Sequence, residues 1–248
     1  VVAHYLDPSF KLAEYLSQWL HSITHYKPKF LVQNSVHLAN KLHYYFLADP
    51  SLISFDVKSM FSTIPINRAE DLMADILVQK SIDPEVVHNL KYNLCVYQSN
   101  KYELPDGLLM PPPSSLVVDI YMDRLEQDEL VYQNWAKYVD NILCVWQGTE
   151  KEAKTLLSAL NSYNPSVSFT LEFGGSRIAF PDLLISLKPH LNALRLTFEV
   201  YRKPIFRGVS IHNNSLHPRV HKQAVVNSAI HRLVSLPLSL EARVKETV

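Results

Sequence analysis

Two aspartates stand where an apolar strand has no ordinary use for them. Asp56 ends the run "SLISFDV" (51–57), and Asp140 with Asn141 interrupts "AKYVDNILCVW" (136–146). A carboxylate beside a buried strand costs free energy unless it is paired or holds a cation. Two of them, about 84 residues apart, converge if their strands are neighbours in one sheet. Such a pair suits two Mg²⁺ ions clamping an in-line phosphoryl transfer, because Mg²⁺ needs few carboxylates and takes its other oxygens from phosphate and water. The plainer reading of 136–146 is a β-hairpin turning on Asp140 and Asn141, two residue types that tolerate left-handed backbone. Spacing alone leaves both readings open.

The segments around these residues have to position them. "SFKLAEYLSQWLHSIT" (9–24) places Phe10, Leu12, Ala13, Leu16, Trp19, Leu20 and Ile23 at helical spacing after a Ser9 cap. Further helices are predicted over 33–47, over 65–80 behind Pro65, around 83–95, over 114–130 as an amphipathic helix, and over 150–163. Strands are predicted at 51–57, near 94–104, within 136–146, over "VSFTLEF" and "RIAFPDLLISL" (167–187) joined by Gly174-Gly175, and over 193–204. The tail from about 217 reads as helix broken by Pro237. Helices mixed with short antiparallel strands predict an α+β fold.

Composition narrows the classes. A chain of 248 residues with 47% apolar content buries a sizeable core. No apolar run approaches a membrane span, and Val1 is not followed by a basic stretch and an apolar leader. Cys95 and Cys144 both lie in apolar surroundings and read as reduced core thiols, which fits a nuclear or cytoplasmic protein rather than a secreted one. Net charge is zero but uneven: from Arg177 onward there are 11 Lys and Arg against 4 Asp and Glu. A basic end on an acidic body can hold a phosphate backbone, although a solvated surface gives the same count.

"SFDVKSMFSTIPI" resembles the first catalytic motif of reverse transcriptases, and "KYVDNILCVW" resembles their Tyr-x-Asp-Asp motif. The pattern is most similar to Penelope-like retroelements. "LDPSFKLAEYLSQWL", "LPDGLLMPPPSSLVVDIYMDRLE", "IAFPDLLIS" and "VYRKPIFRGVSIHNNSLHP" resemble further motifs of that group, in the same order and over nearly the whole chain. The resemblance implies a polymerase palm: 1–50 as partial fingers and palm-entry helices, 51–204 as palm, and 205–248 as a basic helix-turn-helix-like segment. It implies an RNA template, a DNA primer and dNTPs as partners, and two Mg²⁺ ions, with Mn²⁺ as a substitute.

Roles follow from the same resemblance. Asp56 and Asp140 would be metal ligands, with the Val57 carbonyl completing one coordination shell. Phe61 would stack under the incoming sugar and reject a 2′-hydroxyl; otherwise it is a core phenylalanine. Tyr138 would pack beside the primer end, or serve the hairpin alone. Met110 begins the loop that approaches the nucleotide. Lys203 would grip the primer backbone, with Arg202 and Arg207 as phosphate contacts or as plain solvated charges.

Two departures bear on activity. Asn141 stands where the family has a second aspartate, which removes a charge near two cations. "MPPPSS" (110–115) replaces Met-Gly-Ser-Pro, and Pro111 fixes φ and lacks an N–H where glycine would let the backbone close on the nucleotide. Both read as decay, so the expected state is an impaired copy. The alternative is a catalytically dead relic or a co-opted nucleic-acid-binding protein. A small metal-dependent hydrolase sharing two aspartates leaves the ordered motifs unexplained. Upstream fingers strands are expected before Val1, and the family's GIY-YIG endonuclease beyond Val248 or absent.

Overall fold

The computed structural model describes residues 8–42, 46–90, 94–97, 100–103, 112–129, 135–163, 166–205, 211–212 and 214–247. In chain order the elements are α1 (Pro8–Thr24), α2 (Ser35–Leu42), β1 (Phe46–Leu47), β2 (Ser51–Lys58), α3 (Met60–Thr63), α4 (Ile66–Gln79), α5 (Pro84–Asn89), β3 (Leu94–Tyr97), β4 (Asn100–Glu103) and α6 (Pro112–Glu129). Then come β5 (Trp135–Tyr138), β6 (Asn141–Trp146), α7 (Glu150–Tyr163), β7 (Ser168–Gly175), β8 (Arg177–Phe180), β9 (Leu183–His190), β10 (Ala193–Val200), α8 (Arg219–Ser235) and α9 (Leu240–Thr247). The class is α+β with antiparallel sheets, as the alternation of periodicities predicts. No helix among the described residues is long and apolar enough to cross a membrane.

The chain divides into two compact units. The first comprises Val1–Leu31, Val57–Gln133 and Leu156–Thr170. Its centre is α6, against which α1 and α4 pack. The amphipathic helix expected over 114–130 is in fact buried nearly all round: Leu116, Val117, Val118, Ile120, Tyr121, Met122 and Leu125 are all under 5% exposed. A helix surrounded by others needs no polar stripe. Its buried Asp123 accepts hydrogen bonds from the Tyr26 hydroxyl and, at 3.1 Å, from the Lys29 N–H. Burial and the Asp123 carboxylate together push the Tyr26 phenol above its ordinary pKa, so the neutral donor is the form that persists.

The second unit comprises Val32–Asp56, Asn134–Thr155 and Leu171–Val248. One sheet has the order β5-β6-β2-β7 and the other β1-β10-β9-β8. A continuous apolar cluster joins α2 (Leu38, Ala39, Leu42), the hairpin strands (Ala136, Leu143, Val145), β8–β10 (Ile178, Ile185, Phe198) and the C-terminal residues Leu236, Leu238 and Ala242. The "RIAFPDLLISL" run is two strands rather than one, because Pro181-Asp182 makes the turn between β8 and β9. Just before it the chain changes sheet at Gly174-Gly175. Gly175 sits at φ 60°, and a Cβ on Gly174 would come within 2.5 Å of the Arg177 carbonyl. The helix expected over 33–47 ends at Leu42, and Phe46–Leu47 instead pairs with β10. The single strand expected near 94–104 is a hairpin, β3 with β4. The tail follows the pattern expected of it, α8 and α9 separated at Pro237. Arg243 secures that junction by donating to the carbonyls of Leu233, Leu236 and Leu238 at 2.8–3.3 Å.

Candidate active site

β2 shows how one strand can be both core and site. Residues 52–55 are buried on both faces, and from there the burial alternates: Phe55 in, Asp56 out, Val57 in, Lys58 out. The strand thus delivers a carboxylate to an open face as it leaves the core. Its partner is β6, antiparallel, with Asp56 directly opposite Asn141.

The turn differs by one residue from the one expected. Tyr138 pairs with Asn141, so the two loop residues are Val139 and Asp140, and Asn141 is already the first residue of β6. The left-handed residue is Val139, at φ 55° and half exposed. A β-branched side chain is strained in that region, and such strain persists only where the surroundings over-determine it. Because Asn141 turns its N–H and C=O toward Tyr138, its pairing with Asp56 is of the wide, non-hydrogen-bonded kind, with Cα atoms roughly 4.5 Å apart and side chains close. The Asn141 amide then donates to Asp140 Oδ1 at 2.7 Å. Asp56, Asn141 and Asp140 therefore form one local group on the β2–β6–turn surface.

After Lys58 the chain turns sharply at Ser59, also left-handed (φ 50°, ψ 38°). The Ser59 carbonyl accepts from the Ser62 N–H at 2.9 Å and from the Ser62 hydroxyl at 3.0 Å, which starts α3. Phe61 lies half-buried on that single turn, and Val57 is buried at the end of β2. Tyr138 is half-buried and packs on the apolar cluster of the second unit. Lys203 is exposed just past β10. Arg202 beside it makes a two-pronged ion pair with Glu246 of α9, at 2.5 and 2.7 Å. Those hydrogen bonds raise its already high pKa and engage the fork of N–H donors a phosphate would use. Met110 and Arg207 lie outside the described residues.

Two carboxylates and one amide make a sparse donor set. Among the described residues no three His, Cys, Asp or Glu side chains gather tightly enough to cage a metal. Sequence reasoning did not single out Val32, Lys41 and Trp135, whose contacts fix the outer limb of the hairpin. Trp135 was findable as the indole that opens the hairpin run. Lys41 carried no signal, because its partner is a backbone carbonyl far along the chain.

No family model and no curated protein matches this sequence. Solved structures do. Over 98% of its length the chain superposes on telomerase from Candida albicans in complex with the TWJ fragment of telomeric RNA, with a TM-score of 0.60 and 11% identity. The fold is that of this telomerase chain over the matched length. Telomerase from Candida tropicalis, also in complex with the TWJ fragment, matches over 98% of the chain at a TM-score of 0.50 and 13% identity. The chain spans 44–45% of those two telomerase chains. At such identities the likeness establishes the architecture and carries no residue's role across.

Proposed function

We propose that the chain is the reverse transcriptase domain of a Penelope-like retroelement, an RNA-directed DNA polymerase in an impaired copy. The observation that carries this reading is the strand register: Asp56 stands opposite Asn141, and Asn141 bonds Asp140. Two aspartates from distant motifs thus meet at one surface, on a telomerase-like fold. The chemistry is nucleotidyl transfer from a dNTP to a primer hydroxyl.

Asp56 and Asp140 would hold divalent cations, Mg²⁺ or Mn²⁺, with the Val57 carbonyl as a neutral third donor. Bound there, such ions would neutralise the triphosphate and activate the primer hydroxyl as Lewis acids. The other residues singled out by the resemblance would orient the reactants. Phe61 stacks under the incoming sugar, the Tyr138 ring backs the primer end, and Lys203 with the basic C-terminal segment meets the phosphate backbone electrostatically. The solved telomerases were captured with RNA, which supports a nucleic-acid partner for this fold. A second reading, a domain that binds nucleic acid without catalysis, is favoured by the Asn141 amide: it occupies Asp140 Oδ1, an oxygen a cation would need, and brings no charge of its own.

Primer extension on an RNA template with dNTPs and Mg²⁺ separates the two. We expect weak extension by the chain, lost by at least about 100-fold in Asp140→Ala, since electrostatic stabilisation at the reacting centre carries terms of that size. Extension that is insensitive to Asp140→Ala would contradict the assignment. No extension until Asn141→Asp and a restored Met-Gly-Ser-Pro loop are introduced would favour the non-catalytic reading for this copy.

A further inference from the structure

β5 is an edge strand, and the way its open side is closed decides how firmly Asp140 is held. In a two-residue hairpin the pair flanking the turn, Tyr138 and Asn141, is hydrogen-bonded. The alternate residues Lys137 and Trp135 therefore point their carbonyls away from β6, toward the open edge. Left bare, such an edge is wet and pairs with strangers. Here both carbonyls are met. The Val32 N–H donates to the Lys137 carbonyl at 2.8 Å, and Lys41 Nζ donates to the Trp135 carbonyl at 3.3 Å.

Both donors come from one segment. Val32 leads into α2, and Lys41 lies in its last turn. The helix is seated by Leu38, Ala39 and Leu42, all within 2% of full burial. A surface lysine ordinarily keeps its ammonium in water. This one is half-buried, and the loss of water lowers its pKa. Meanwhile β6 is fixed on both sides by β2 and β5, whereas β5 has a partner strand on one side only. The strained Val139 turn joins these two strands, so its geometry depends on the weaker of them.

We propose that Lys41 is a positioning residue for the cation site. With the Val32 N–H it clamps the outer edge of β5, and through β5 it fixes the turn that carries Asp140. The clamp is geometry; its purpose rests on the nucleotidyl-transfer reading given above. Hydrogen–deuterium exchange of the whole chain, without metal, tests the clamp, and Mn²⁺ titration tests its purpose. Lys41→Met keeps the stem and deletes the donor, while Lys41→Arg keeps a donor. We expect Lys41→Met to speed exchange across 135–146 by about tenfold, the scale of one hydrogen bond from a charged donor, and to leave 183–200 unchanged. Mn²⁺ binding should weaken by a similar factor, roughly tenfold, and Lys41→Arg should restore both. Unchanged exchange in Lys41→Met would overturn the clamp. Faster exchange with undiminished Mn²⁺ affinity would overturn the positioning role. A wild-type chain that binds no Mn²⁺ would instead contradict the functional reading, and the metal-free exchange experiment keeps that failure distinct.

Discussion

Asn141→Asp is expected to tighten Mg²⁺ binding by about tenfold or more, equivalent to ~1.4 kcal/mol, and to lower thermal stability when metal is withheld. Both effects come from one contact. Asn141 now donates its amide to Asp140 Oδ1 at 2.7 Å, which satisfies one oxygen of that carboxylate. An aspartate there cannot donate. It replaces the bond with repulsion between neighbouring carboxylates, and for groups only half-buried that amounts to on the order of 1 kcal/mol. Added Mg²⁺ reverses the sign, because two facing carboxylates are what a divalent ion needs. Melting curves in chelator and in excess Mg²⁺ should therefore cross: the variant melts below wild type without metal and gains more from it. Calorimetric titration gives the affinity directly. If neither curve moves, Asn141 is not facing the Asp140 carboxylate in solution.

Trp135→Ala is expected to cost about 3–5 kcal/mol, the largest stability loss available near the site. Trp135 is 1% exposed, and its ring centroid lies 5.6 Å from that of Phe55, which is fully buried. Phe55 immediately precedes Asp56, and Trp135 opens the strand that leads to Asp140. The ring pair thus joins the two strands that lead to the carboxylates, and the cavity would loosen both limbs. The indole N–H is buried without a hydrogen bond to any described residue, so the loss is one of packing rather than of polar contact. Trp135→Phe keeps an aromatic ring against Phe55 and should cost much less. Urea unfolding should show a lower midpoint with little change in slope. A loss below about 1 kcal/mol would mean that the hairpin does not pack on Phe55 as described.

Much of this was legible in the sequence because the relevant signals are local. The apolar run at 51–57 and the interrupted run at 136–146 gave strands at the right places, and the idea that they are neighbours holds: Asp56 and Asn141 are register partners. The turn was misplaced by one residue, since propensity points to Asp-Asn, whereas pairing along β5 and β6 forces the left-handed angle onto Val139. Neighbouring strands override a single residue's preference, at the expense of strain. The buried character of α6 was hidden for a related reason. Its Asp119, Asp123 and Glu126 give the polar positions of an amphipathic pattern, yet Asp123 faces inward to Tyr26 and Lys29. Arg202 likewise reads as a free cation until α9 folds back and brings Glu246 to it. Lys41 and Val32 were beyond sequence reasoning altogether, because a donor to a distant backbone carbonyl leaves no pattern.

Under the proposed function Asp56 and Asp140 serve one cation site, and Mn²⁺ binding followed by electron paramagnetic resonance tests that most directly. Asp56→Ala and Asp140→Ala are each expected to weaken binding by at least about tenfold, and the double variant to lose little beyond either single one, as coupled ligands of one ion do. Should either alanine leave Mn²⁺ affinity where it was, or the two losses simply add, the carboxylates are independent and the proposed active site is not one.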